Sequence, residues 1–255
     1  MNIIEYNNKL QYTVIIYNKD NKIREILCMN IMFDTANLNK IGTYSKIYPF
    51  AGVTSNPSII KKEGKINFFS HMRAIRKIIG KDRTLHVQIV SQTCDQMIEE
   101  AYRLVDKLGD IYIKIPVSEE GLKAIKVLKE NGYHITATCI YSKIQGDMAI
   151  LAGADYIAPY FNRMENIGVE PRNVIKHFAN IIAKCSSDTK ILAASFKNIR
   201  QVTDSFENGA DYATVDPDLL HNSINAPHIL KATEQFSEDW YSIFGQNTSI
   251  LELKD

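Results

Sequence analysis

Residues 110–132 read DIYIKIPVSEEGLKAIKVLKENG. The first half is a short apolar run from Ile111 to Val117, the length of a strand. The second half has helical spacing. Leu122, Ile125, Val127 and Leu128 share a stripe, and Gly132 reads as the glycine that ends the helix. Side chains alternate along a strand, so Ile111, Ile113, Ile115 and Val117 share one face. Tyr112, Lys114 and Pro116 share the other. Lys114 is therefore expected to point away from its apolar neighbours, into whatever the strand encloses.

Working outward, the same unit repeats. Strands are predicted at 30–36, 50–56, 84–90, 111–117, 134–141, 155–162, 190–196 and 211–216, with amphipathic stretches between them. CDQMIEEAYRLVDKLG places Met97, Ile98, Ala101, Leu104 and Val105 on one stripe, and PRNVIKHFANIIAKC opens on Pro171, a good first-turn residue. Strands alternating with helices mean parallel strands with helical crossovers. Eight such units predict a single α/β domain, a (β/α)₈ (TIM) barrel over 30–255. An open doubly wound sheet is the alternative, and its dinucleotide-binding form lacks the G-x-G-x-x-G fingerprint. Residues 1–29 hold two β-rich runs around a polar turn and read as an N-terminal β-hairpin extension. At the other end, APHILKATEQFSEDWYSIFG predicts a long C-terminal helix carrying Leu230, Phe236, Trp240 and Phe244. That apolar surface exceeds what closing a barrel needs, so packing on a neighbouring subunit is expected.

Composition narrows the function classes. The 255 residues carry 30 basic and 29 acidic side chains, with no polybasic stripe to suggest nucleic acid or a membrane surface. No apolar run reaches the ~18 residues of a membrane helix. The four cysteines (28, 94, 139, 185) are far apart without a C-x-x-C pair, which suits a reducing cytoplasm. The six histidines lack ligand spacing, so no metal is expected.

Applied to the other strands, the alternation sends Asp34 and Met32 inward from the first, and Thr54 and Asn56 to one side of the second. It sends His86 and Gln88 inward from the third, Thr136 and Thr138 from the fifth, Ala158 and Tyr160 from the sixth and Ser195 from the seventh. Barrel interiors are usually filled by branched apolar layers, and active sites sit at the C-terminal mouth of the strands. So many inward polar groups predict a polar pocket with Lys114 at its floor. Burial disfavours the ammonium, and a neutral lysine amine condenses with ketones and aldehydes to a Schiff base. Each residue also has a plainer reading. Lys114 and Asp34 suit a buried ion pair. Asp34 before TAN suits a helix N-cap, and Ser58 in SNPSII suits another. Thr138 is an ordinary strand residue, and Tyr160 suits a core tyrosine.

The stretches FDTAN, AGVTSNPSII, IKIPVSEEGLKAIKVL, LAGADYIAPYFNR, ILAASFKNIRQV and FSEDWYSIFG resemble the short transaldolase family, most closely its fructose-6-phosphate aldolase branch. The resemblance implies Lys114 as the Schiff-base lysine and Asp34 as the carboxylate assisting carbon–carbon cleavage. It implies Thr54 and Asn56 at the dihydroxyacetone end, with Ala158 also against substrate. Gln88, Thr138 and Tyr160 would hold a catalytic water, and Arg163, Ser195 and Lys197 a phosphate. Transaldolases typically carry glutamate and phenylalanine where this chain has Gln88 and Tyr160, which favours the aldolase side. His86 departs from close relatives and leaves the substrate open. Family members often form rings of five or ten subunits, so a homo-oligomeric pentamer or decamer is implied. The expected activity is class I aldol cleavage or formation of fructose 6-phosphate, with no cofactor. The alternatives are transaldolase transfer of a dihydroxyacetone unit and non-catalytic binding of a sugar phosphate.

Overall fold

The computed structural model describes residues 13–17 and 23–253, with side chains from Met29 to Leu253. Strands β1 (Thr13–Tyr17) and β2 (Ile23–Cys28) pair antiparallel. The rest of the expected hairpin over 1–29 lies outside the described residues. The parallel strands follow as β3 (Asn30–Asp34), β4 (Gly52–Thr54), β5 (Thr84–Gln88) and β6 (Tyr112–Pro116). They continue as β7 (Ile135–Ile140), β8 (Tyr156–Pro159), β9 (Lys190–Ala193) and β10 (Tyr212–Val215). Each pairs with the next, and β10 pairs back onto β3, closing an eight-stranded barrel.

The alternation read from the sequence explains how the barrel packs. Ile113 and Ile115 of β6 are fully buried, as are Phe33, Val53, Ala137 and Ile157 of neighbouring strands. They face the helices, and burying each large side chain contributes ~1.5–3 kcal/mol. Inside, Met32, Tyr156, Leu192 and Tyr212 form one cluster with Tyr112 packed against it. His86 belongs to this layer. It is fully buried, lies 4.7 Å from the Tyr112 ring, and bonds Thr136 Oγ1 through Nδ1 (2.8 Å) and Thr84 Oγ1 through Nε2 (2.9 Å). It fills the barrel beside Tyr112 and does not line the lysine's cavity.

All eight strands end earlier than expected, because the residues after them serve turns and caps. Asn37, not Asp34, caps helix Leu38–Tyr44, its side chain accepting from Lys40 N. Asn56, not Ser58, caps helix Pro57–Lys62, accepting from Ile59 N at 3.0 Å. Ser118 caps helix Glu119–Glu130, which follows β6, by accepting from Gly121 N. Gly121 is required there, since a Cβ would lie 2.0 Å from the Pro116 carbonyl oxygen. The lysine strand and its helix are joined at van der Waals limit.

Residues 218–255 form a second compact unit. Its long helix, Pro227–Phe244, leaves Phe236 and Ile243 exposed, while the Trp240 ring lies tilted against Phe244 (4.4 Å between centroids) and donates to Thr248 O (2.8 Å). Among the described residues no helix is long and apolar enough to cross a membrane.

Candidate active site

A cavity of about 280 Å³ opens at the C-terminal ends of the strands. Of the residues expected there, Lys114, Asp34, Asn56, Tyr160, Arg163, Ser195 and Lys197 line it. Their elements explain their positions. Lys114 sits mid-strand in β6, opposite Gln88 of β5 and Thr136 of β7. Asp34 ends β3, paired in register with Thr54. Asn56, Tyr160 and Ser195 lie past their strand ends, so alternation alone does not place them. Tyr160 precedes helix Phe161–Asn166 and bridges Ala194. Ser195 adopts a left-handed backbone (φ 64°), uncommon for a residue with a side chain.

Lys114 is buried, and burial holds its amine below the ordinary 10.5, with Asp34 and then Cys139 opposing that shift. Among the described residues no hydrogen bond or ion pair engages its ammonium. The buried ion pair that the sequence left open is therefore absent as a close contact. Burial likewise raises the Asp34 carboxyl above 3.8, against the pull of Lys114 and of the Thr54 hydrogen bond. Both groups are pushed toward neutrality. An amine that loses its proton more readily than an ordinary lysine, beside a poorly hydrated carboxyl, suits nucleophilic attack followed by proton transfer.

Two expected residues stand one hydrogen bond behind the cavity wall. Thr54 Oγ1 donates to Asp34 Oδ1 (2.7 Å) and lies 2.6 Å from Thr214 Oγ1. Thr138 Oγ1 lies 2.9 Å from the Tyr160 hydroxyl, and Cys139 Sγ lies 3.6 Å from it. Burial is the main reason the phenol holds its proton to higher pH than usual. Gln88 lies beside Lys114 in register but lines a neighbouring, largely apolar cavity of about 450 Å³, which shares Asn56. Its buried Oε1 has no hydrogen-bond partner among the described residues. Ala158 is packed inside β8 and does not line the cavity.

The cavity also takes in Ser58, Lys62, Phe196, Thr214 and Asp216, which sequence reasoning missed. The alternation rule applied to DYATVD puts Thr214 and Asp216 on one face, so that signal was present. Nothing local marks Lys62 or Phe196. Among the described residues no group of three or more His, Cys, Asp or Glu is placed to hold a metal ion.

These features define an α/β-barrel enzyme with a lysine-centred polar cavity at the C-terminal mouth of its strands. The chain belongs to the transaldolase/fructose-6-phosphate aldolase family, whose pattern matches residues 31–251. It is 48% identical over 216 residues to a protein of Streptococcus pneumoniae (strain ATCC 700669 / Spain 23F-1) named "Probable fructose-6-phosphate aldolase", covering 84% of this chain and 97% of the relative. Among solved structures it resembles the 3,6-anhydro-D-galactonate cycloisomerase of Zobellia galactanivorans, with a TM-score of 0.52 and 18% identity. That match covers 73% of this chain and 53% of the other, so the chain spans about half that protein's length and shares its fold alone.

Proposed function

We propose that the protein is a class I aldolase that cleaves or forms fructose 6-phosphate through a Schiff base on Lys114. One observation carries this reading: a buried, unpaired lysine amine faces a cavity that it shares with Asp34. Lys114 attacks the C2 carbonyl, and the carbinolamine loses the C2 oxygen as water to give the protonated Schiff base. Asp34, oriented by Thr54, takes the C4 hydroxyl proton as the C3–C4 bond breaks and glyceraldehyde 3-phosphate leaves. The enamine is then protonated on carbon and hydrolysed to dihydroxyacetone. Thr138 and Tyr160, already in contact, and Gln88, with its unpaired acceptor, suit a water that shuttles protons in these steps. Asn56 and Thr54 serve the dihydroxyacetone end. Arg163, Ser195 and Lys197 serve the phosphate at the rim, where a guanidinium fork and a hydroxyl suit a dianion.

Tyr160 favours aldolase over transaldolase, because a phenol near the enamine can deliver the proton that releases free ketone. Borohydride reduction with dihydroxyacetone tests the proposal. The peptide containing Lys114 gains the mass of the reduced adduct. An unmodified Lys114 with the protein saturated would leave a binding protein as the better reading.

We further read 1–29 as a hairpin extension and 30–255 as the catalytic domain. A homo-oligomer, pentamer or decamer, is supported by the exposed Phe236 and Ile243 of the terminal helix. Free cysteines at 94, 139 and 185 suit a cytoplasmic location.

A further inference from the structure

Arg163 is held in an unusual way for a surface arginine. Its Nη1 donates to the Tyr141 hydroxyl at 3.0 Å, and its guanidinium lies 4.8 Å over the Tyr160 ring. The two tyrosine rings meet edge to face at 5.5 Å. Among the described residues no carboxylate lies within ion-pair distance of Arg163. Tyr141 is anchored in turn, its backbone N–H donating to Gln145 Oε1 at 2.9 Å. Tyr141 does not itself line the cavity, whereas Arg163 does.

We propose that Tyr141 is a positioning residue for phosphate selectivity: it fixes the Arg163 guanidinium at the cavity rim without neutralising it. This rests on the reading of Arg163 as a phosphate ligand and goes beyond it. A free arginine side chain carries ~2 kcal/mol of rotamer entropy, part of which is lost on binding an anion. An acidic anchor would remove that cost but would also compete with the phosphate for the charge. A neutral phenol removes the cost and leaves the charge and most of the fork available. Stacking on Tyr160 puts the anion-binding group and the proposed proton-transfer phenol in one packed unit, so seating the phosphate also seats the phenol.

The test is calorimetric titration of the full-length protein with inorganic phosphate, comparing wild type with Tyr141→Phe, which keeps the ring and loses only the acceptor. Phosphate affinity should fall about three- to tenfold, the range expected for the net loss of one hydrogen bond at a solvent-screened rim. KM for fructose 6-phosphate should rise by a similar factor. Half-saturation by dihydroxyacetone, which has no phosphate, should move less than about twofold in borohydride trapping. In an Arg163→Ala background the Tyr141→Phe change should add nothing. Unchanged phosphate affinity in Tyr141→Phe, no phosphate binding by wild type, an additive double variant, or a matching loss for dihydroxyacetone each overturns the proposal. Failure of the Schiff-base reading is a separate result, since it shows as no reduced adduct while the phosphate titration still decides the role of Tyr141.

Discussion

Replacing Lys114 by methionine should abolish carbon–carbon cleavage and stabilise the fold. Methionine matches the unbranched stem of lysine and fills irregular space well. The native amine is buried and meets no close anion among the described residues. Exchanging buried charge for apolar volume is commonly neutral or stabilising, here by ~1–3 kcal/mol. For a chain of this size that corresponds to roughly 2–12 °C in Tm. The gain has a definite pH dependence. The lysine pKa is depressed on folding, below its ordinary 10.5, so the unfolded chain binds more protons in the window between the two values. Native stability therefore rises with pH across that window. The advantage of Lys114→Met is full below the depressed folded value and fades as pH approaches 10.5. Differential scanning calorimetry at several pH values measures this. A folded Lys114→Met protein less stable than wild type by ~3 kcal/mol or more would show that the amine is a structural ion-pair partner, and the catalytic reasoning would fall with it.

Asp34→Asn should lower kcat by ~10²-fold or more, since it removes the group assigned to the C4 hydroxyl proton. It should also remove the charge that supports the Lys114 ammonium, moving the acid limb of dihydroxyacetone trapping to lower pH; a limb that stays put or moves up refutes the coupling. Thr54→Val should raise the Asp34 carboxyl pKa further by deleting a 2.7 Å donor, and pH–rate profiles should show that shift. Tyr160→Phe should slow release of free dihydroxyacetone while raising transfer to erythrose 4-phosphate, with product ratios by chromatography as the check. Gly121→Ala should destabilise by ~1–3 kcal/mol, because its Cβ would stand 2.0 Å from the Pro116 oxygen, and an unchanged Tm would count against that close approach.

Sequence by itself determined eight alternating strand–helix units, because strand and helix periods are properties of local order along the chain; that they close into a barrel and not an open sheet was decided by the pairing of β10 with β3. It also determined that Lys114 and Asp34 face the interior, since alternation within a strand needs no knowledge of the rest of the molecule. The tertiary structure alone decided what lies beyond the strand ends. Ser195 enters the cavity through a left-handed backbone turn, and Asn56 and Tyr160 through the starts of short helices, where alternation no longer operates. It also decided that His86 fills a packing layer, that Gln88 borders a second cavity, and that Tyr141, just past the end of β7, holds Arg163 on the helix Phe161–Asn166. Those relations depend on how strands close in three dimensions, and no spacing within one segment encodes them.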